Sequence, residues 1–470
     1  MDLIKRNLST INRVHLMGIG GAGMSGLALL LKDLGYEVSG CDVTHTSYVD
    51  RIVQRNIDFS IGHKKSHLED YEPDLLIYSS AIPDENEELK DAFERHIPVA
   101  KRADVLSWLF NSRQGIGVAG THGKTTTSSM IAMIFEQAGL EPTVAIGGEL
   151  CDIGVNAKLG VGPYMVAELD ESDGSFEEFT PDISVVTNAD WDHVDHYPSP
   201  ESVLEAYQRF IHKTKPGGTA ILCGEDSGLC RLIPLLSHDT DIETYGFGSS
   251  WDWGAFEVKY IEGGGVKFSI CYKGKRISEM KLSVSGDHNI LNALAAIVVA
   301  RHFDIPFSLI QKTMTNFKGA KRRLQFMGNI GKADFYDDYG HHPREIEATL
   351  NTLRQMFPAK RHLVVFQPHR FTRTKAMYRE FAEVLSMADM LYLMPIYPAD
   401  EDPLNGVSSS LISETMGVHG YKSCHLCDGF NDATTSISSE LKDNDLLITI
   451  GAGNVTRVGE MVLSRCNGEL

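Results

Sequence analysis

The sequence has no apolar run long enough to cross a bilayer: its longest such stretch, residues 291–300, reaches about half of the ~20 residues a spanning helix needs. Residues 1–11 lack the long hydrophobic segment of a signal peptide, which predicts a cytoplasmic location. Basic residues are scarce, with 44 Lys and Arg against 63 Asp and Glu and a formal charge of -19. That balance argues against nucleic acid or an anionic membrane as a partner. An anionic substrate must be held by local clusters of amides, metal ions and a few basic side chains. The eight cysteines are ordinary for this length, and in that compartment they are expected to be reduced. Cys424 and Cys427 have CxxC spacing, but no second pair lies nearby to complete a metal site, so they read as two thiols beside a turn. Short-period repeats and low-complexity tracts are absent as well.

What is present is an α/β pattern from end to end. With 470 residues the chain exceeds one compact core and predicts about two to four domains. Short apolar runs alternate with helical patterns, the mark of parallel α/β layers. Strands are expected at 14–17, 37–39 and 75–78, then, after a polar linker at 111–114, at 115–119, 164–167, 183–187 and 220–222. Residues 245–285, rich in glycine and β formers, predict antiparallel hairpins, followed by a helix at 289–300. A short basic stretch at 318–323 marks a second boundary, and strands at 335–336, 363–366, 391–394 and 446–450 make a third α/β block.

Two glycine turns carry the chemistry. Gly18-Ile19-Gly20-Gly21-Ala22-Gly23 lies between a strand and a helix and matches GxGxxG, whose amides can meet a pyrophosphate. Asp42 closes the next strand, where an acid that binds ribose is expected. Alone, this turn says only that the ligand resembles a nucleotide. The second turn, Gly120-Thr121-His122-Gly123-Lys124-Thr125-Thr126-Thr127, is more specific. Its amides can wrap phosphates, Lys124 can reach the β/γ oxygens, and the Thr125 hydroxyl can ligate Mg²⁺. The usual spacing of such a loop would place a glycine at Val118.

Acids for the metal follow two strands. One group is Glu168, Asp170, Glu171 and Asp173; the other is Asn188, Asp190, Asp192, His193 and Asp195. Hard Mg²⁺ prefers oxygen, which favours Glu171 over His193. Both groups leave the sheet at the edge where open α/β folds bind ligands. Downstream, His288 and Asn289 open an apolar helix, either against a purine or as a plain cap. The loops 337–343 and 367–373 follow strands, and the arginines of the second could clamp a carboxylate or phosphate. The twin histidines His341 and His342 have no third ligand fixed by spacing.

Together these stretches resemble the Mur ligases of peptidoglycan synthesis: residues 15–26, 120–127, 170–176, 192–195, 288–293, 337–343 and 367–373, in order over the whole chain. The resemblance implies a three-domain architecture. A Rossmann-like UDP-sugar domain (1–112) is followed by a central P-loop ATPase domain with a mainly parallel sheet (113–320) and a Rossmann-like amino-acid domain (321–470). It also reverses one inference, since the first glycine turn would hold a UDP diphosphate and not a dinucleotide. The implied activity is ATP-dependent ligation of L-alanine to the lactyl carboxylate of UDP-N-acetylmuramate through an acyl phosphate, with ATP and Mg²⁺ as cofactors.

The roles implied by the resemblance are as follows. Gly18, Gly20, Gly21, Gly23, Met24, Ser25, Asp42, Ser79 and Ser80 would bind the UDP-sugar. Gly120, Thr121, His122, Gly123, Lys124, Thr125, Thr126, Asn289, Asn292, Arg323 (or Arg322) and Asp338 would bind ATP. Thr125, Glu171 and His193 would hold Mg²⁺, the histidine against the general preference for oxygen. Lys124, Glu171, His193, His342, Arg370 and Arg373 would act in the reaction. Within the family, Ser172 and Tyr339-Gly340 favour the alanine-adding type over the branch that reattaches a recovered tripeptide, and residues 201–210 lack the carbamylated lysine of several other members, as that type implies. Gly174, more often alanine in the family, and Arg344, in place of a usual threonine, are small departures. A nicotinamide-dependent oxidoreductase would leave the second glycine turn unexplained, and a non-enzymatic nucleotide switch would leave 337–373 without a task.

Overall fold

The computed structural model describes residues 11–147, 156–192, 196–236, 240–261, 264–319, 322–399 and 401–466. The chain divides into two compact units. One comprises Met1–Glu257, Phe268–Lys281 and Leu291–Lys318; the other comprises Val258–Lys267, Leu282–Ile290 and Gly319–Leu470. The described strands form three sheets, two of them starting in the first unit.

The first sheet holds β1 (Arg13–Met17), β2 (Glu37–Asp42), β3 (Asp58–Ile61), β4 (Leu75–Tyr78) and β5 (Val99–Lys101). Their order is β3-β2-β1-β4-β5, with all pairings parallel. The order reverses between β1 and β4, and ligands of such sheets bind at the carboxyl ends of the strands flanking that reversal. The first glycine turn leaves β1 there, and Ser79 leaves β4.

The second sheet has ten strands: β6 (Gln114–Ala119), β7 (Thr143–Ala145), β8 (Ala157–Lys158), β9 (Tyr164–Glu168), β10 (Ile183–Val186), β11 (Thr219–Cys223), β12 (Asp241–Phe247), β13 (Trp253–Tyr260), β14 (Val266–Tyr272) and β15 (Lys275–Leu282). Their order is β15-β14-β13-β12-β11-β10-β6-β9-β7-β8. β6 lies between β9 and β10 and is parallel to both, so its outgoing loop stands at a second reversal point. The helix Lys124–Gln137 behind it is buried from Thr125 to Phe135, which holds the loop against a rigid support.

The expectation of hairpins over 245–285 is corrected in part. β12 continues the parallel sheet, pairing in parallel with β11 and with β13. β14 and β15 are joined by the two-residue turn Lys273-Gly274 with φ of 47° and 76°, the left-handed pair that a tight hairpin uses.

The third sheet holds β16 (Gln325–Ile330), β17 (Ala333–Asp338), β18 (Arg361–Phe366), β19 (Met390–Leu393), β20 (Cys424–Leu426) and β21 (Asp445–Ile450), ordered β16-β17-β21-β18-β19-β20. Only β16 runs antiparallel. Successive strand residues enter opposite cores, Val364 and Phe366 on one face and Leu363 and Val365 on the other. Helices therefore cover both faces, as continuous apolar strands require. No helix among the described residues is long and apolar enough to cross a membrane.

Candidate functional site

The first glycine turn is built around Asp42. Its Oδ2 accepts the Gly20 amide at 2.9 Å, and its Oδ1 accepts the Thr44 amide at 3.0 Å and the Thr44 hydroxyl at 3.2 Å. A Cβ on Gly20 would stand 2.9 Å from that carboxylate, so any other residue there would have to displace it. Gly18 adopts φ 79° and donates to the Cys41 carbonyl at 2.8 Å. Gly21 caps the helix Ala22–Asp33, whose first turn contains Gly23 and the buried Met24 and Ser25. Ser79 packs against Gly18, and Ser80 is exposed. Asp42 thus acts on the turn itself, while the helix amides face the place expected for a diphosphate.

Arg102 is a residue that sequence reasoning missed. A Cβ on Gly23 would lie 3.0 Å from its Cζ, so this guanidinium sits over the first turn of that helix. The available signal was its position immediately after β5, at the ligand-binding edge of the sheet.

The second glycine turn is held by strand ends on both sides. The Thr121 hydroxyl donates to the Asp190 carbonyl at 3.0 Å, and the His122 amide donates to Asn188 Oδ1 at 2.8 Å. Gly120 has φ 133°, and a Cβ there would fall 2.0 Å from Thr187 Oγ1. Gly123 has φ 82°, and a Cβ would come within 2.5 Å of Asn292 Oδ1. Asn292 also accepts from Thr127 at 3.1 Å, so the helix Asp287–His302 places it directly against the loop. Asn289 lies earlier on that helix and donates to the Ser285 carbonyl at 2.7 Å.

Lys124 reaches back along the loop. Its Nζ donates to the Gly120 carbonyl at 2.6 Å and meets Glu171 Oε2 at 2.7 Å. Burial alone would drive the ammonium toward neutrality, but Glu171, Asp170 and Glu168 outweigh it and raise its pKa. The Tyr197 hydroxyl donates to the Glu171 carbonyl at 2.8 Å and steadies that acid. Thr126, the next residue of the helix, is buried.

The Thr125 hydroxyl contacts both oxygens of Glu168 at 3.0 Å, and Glu171 contacts Lys124. Glu168 is therefore the acid nearest Thr125, a placement that the spacing of the acidic loop did not single out. Ligand oxygens around Mg²⁺ at about 2.1 Å stand about 2.9 Å apart in an octahedron. The Thr125 and Glu168 oxygens already have that separation, and the donors are hard, so this corner fits a magnesium ion. His193 and Asp195 lie outside the described residues.

In the other unit, Asp338 ends β17 and is buried. Its Oδ2 accepts the Leu324 amide at 2.7 Å and its Oδ1 the Gly340 amide at 2.8 Å. Burial raises its pKa to about 6 against the opposing pull of Arg323 and those amides. Arg322 and Arg323 differ sharply. The Arg322 guanidinium holds Asp337 at 2.9 Å and the carbonyls of Gly451 and Gly453 at 2.6 and 3.1 Å, a structural clamp. Arg323 meets Glu345 at 3.3 Å and lies 5.6 Å from the Tyr339 ring centre. His342 caps the helix Pro343–Met356. Arg373 Nη1 is 3.3 Å from His369 Nδ1, and His369 stacks on Tyr397. Arg370 lies at the N-terminus of the helix Phe371–Leu385, 4.0 Å from Glu401. Asp338 and His342 therefore stand at or just after the end of β17, and Arg370 and Arg373 follow β18, two parallel strands of one sheet with β21 between them.

Three family models match the chain in order: "Mur ligase family, catalytic domain" over residues 13–114, "Mur ligase middle domain" over 118–300, and "Mur ligase, glutamate ligase domain" over 322–453. The UDP-N-acetylmuramate--L-alanine ligase of Geotalea daltonii is 42% identical over 97% of this chain and 98% of its own length. That of Geobacter sulfurreducens is 41% identical over 97% and 98%. Among solved structures, the UDP-N-acetylmuramate-alanine ligase of Thermotoga maritima superposes with a TM-score of 0.82 at 27% identity, covering 97% of this chain and 100% of that one. With relatives this similar over nearly its whole length, the chain belongs to the Mur ligase family.

Proposed function

We propose that this chain ligates L-alanine to UDP-N-acetylmuramate at the expense of ATP. The observation that carries the ATP half is the half-buried Lys124, pinned between the Gly120 carbonyl and Glu171 in a loop whose glycines let Thr187 and Asn292 close against it. The identity of the acceptor and amino acid is supported by the full-length relatives, whose names state them.

In this reading the domain limits are 1–112, 113–320 and 321–470, and the site is intracellular. The helix amides at Gly21 and Gly23, with Arg102, bind the diphosphate of the sugar nucleotide. The amides of residues 120–125 and Lys124 bind the ATP phosphates, and Asn289, Asn292, Arg323 and Asp338 serve the nucleotide. Mg²⁺, held by Thr125, Glu168, Glu171 and His193, would supply charge neutralisation on the phosphates. The lactyl carboxylate attacks the γ-phosphorus, ADP leaves, and Lys124 stabilises the charge on the transferred group. The free amine of L-alanine then adds to the acyl carbon, and phosphate leaves carrying the proton that the nitrogen gives up, forming the amide. His342, Arg370 and Arg373 orient the amino acid and the departing phosphate.

The test is phosphate release in the presence of UDP-N-acetylmuramate, ATP and a panel of amino acids. L-Alanine should support the highest kcat/KM. Preference for L-alanyl-γ-D-glutamyl-meso-diaminopimelate would move the chain to the peptide-recycling branch, and phosphate release without any amino acid would refute ligation.

A further inference from the structure

Behind the first glycine turn, four elements deliver buried metal-binding side chains to one point. His15 comes from β1, Cys41 from β2, His67 from the helix Ser66–Tyr71 and Glu88 from the helix Glu87–Glu94. All four are buried, and one donor atom from each lies within 4.8 Å of all the others. Phosphate chemistry uses none of them.

We propose that His15, Cys41, His67 and Glu88 form a structural site for a divalent cation of the zinc class. Glu88 Oε1 is 3.1 Å from His15 Nε2 and 3.1 Å from His67 Nδ1, and Glu88 Oε2 is 3.4 Å from Cys41 Sγ. Zinc bonds of about 2.0–2.3 Å require donors about 3.3–3.7 Å apart in a tetrahedron; the three Glu88 separations are already near this, and the other donors, all within 4.8 Å, would draw in around the ion. Two neutral imidazoles, one thiolate and one carboxylate cancel the double positive charge, which matters where nothing is solvated. Nitrogen and sulfur donors exclude magnesium as the natural occupant.

The surroundings are those of a ligand set. His15 Nδ1 is 2.9 Å from Ser39 Oγ, which leaves Nε2 to face the centre. That nitrogen is buried, and among the described residues it has no hydrogen-bond partner of good geometry. Glu88 Oε2 also accepts the Lys64 amide at 2.9 Å, and His63 Nδ1 is 3.1 Å from the Cys41 sulfur. Such outer contacts fix the orientation of metal ligands. Without a cation, burial and Glu88 keep the Cys41 thiol protonated. Binding therefore replaces the S–H bond by an S–metal bond and releases one proton to solvent.

The site has a consequence for the turn. The amides of Gly18 and Ile19 both bond to the Cys41 carbonyl, at 2.8 and 3.1 Å. A cation on the Cys41 sulfur anchors the residue from which that turn hangs.

The full chain, without a histidine tag and stripped by chelator, is titrated with Zn²⁺ against a chromophoric competitor and separately with Co²⁺. One tight equivalent is expected, with a thiolate-to-cobalt band in the near ultraviolet and intense tetrahedral bands in the visible. Cys41→Ser should abolish the ultraviolet band and weaken Zn²⁺ at least tenfold. His67→Asn should weaken binding and keep the band, and it tests the site even if Cys41→Ser does not fold. No stoichiometric binding would overturn the proposal, as a closed hydrogen-bond network predicts. Loss of the band in Cys427→Ser would also overturn it, by moving the metal to the second cluster of His425, Cys427 and Asp432.

Discussion

Replacing Lys124 by alanine should damage stability and chemistry through different partners, and the two can be separated. The ammonium is 2.7 Å from Glu171, whose side chain is only 3% exposed. Removing one partner of a buried ion pair costs about 3–5 kcal/mol. The lower figure applies here, because 13% of the Lys124 side chain is exposed and the pair is not fully desolvated. For a domain of this size each kcal/mol moves the midpoint by roughly 2–4 °C, so Lys124→Ala should melt about 6–12 °C lower without ligands. Adding Glu171→Gln removes the uncompensated charge, and a coupling of about 2 kcal/mol should return the midpoint by about 4–8 °C. Activity should not return. Losing a donor that stabilises charge in the transition state costs about 10²–10³ in kcat, and in the proposed function the second change removes a metal ligand as well. Calorimetry and the phosphate-release assay measure the two effects on the same preparations. The account fails if Lys124→Ala is as stable as the parent, if the double variant is no more stable than the single one, or if Lys124→Ala keeps a tenth of the parent turnover.

Other expectations follow from the same geometry. Asp338 has a folded pKa of about 6, above its unfolded value, so its contribution to stability is greatest below the unfolded pKa and is lost as pH rises through the folded one. Asp338→Asn should therefore flatten the fall in melting midpoint of the C-terminal unit between pH 4 and 6, read by calorimetry; an unchanged profile would contradict the assignment. Arg322→Ala should lower that unit's midpoint, since three backbone or carboxylate contacts are lost, whereas Arg323→Ala should raise the KM for ATP with a smaller effect on melting. Arg102→Ala should weaken UDP-N-acetylmuramate binding by about 1.5–3 kcal/mol, roughly ten- to hundredfold by calorimetric titration, if its guanidinium meets the diphosphate.

The buried parallel strands were readable because each is a short, nearly continuous apolar run, and β4 was placed with its full bounds. The edge strands β3, β5, β8, β16 and β20 were not, and neither was the three-residue β7, since such short or half-exposed segments give no period to recognise. The hairpin expectation failed at β12 because parallel and antiparallel pairing leave the same composition. At the site, the glycines, Lys124 and Thr125 were legible because their spacing along one loop is the chemistry. Glu168 was not singled out over Glu171, since both belong to one acidic loop and only the exit angle of β9 decides which carboxylate meets Thr125. Arg102 and the His15–Glu88 cluster are assembled from distant segments, where local spacing carries no information. The choice between Arg322 and Arg323 needed the backbone, which turns Arg322 toward the carbonyls of 451 and 453.

One contact in the first unit makes its two nucleotide turns mechanically continuous. The Asn156 amide donates to the Ala22 carbonyl at the start of the diphosphate helix, and a Cβ on Gly26 of that helix would touch Ala157 of β8 at 3.1 Å. β8 pairs with β7, β7 pairs with β9, and β9 ends in Glu168, which accepts the Gly147 amide at 2.7 Å and the Thr125 hydroxyl. The helix and the metal corner are thus opposite ends of one lever, with the β7–β8 ribbon as its arm. If a sugar nucleotide binds the first turn as proposed, a tilt of that helix has a hydrogen-bonded route through two short strands to the carboxylate beside Thr125.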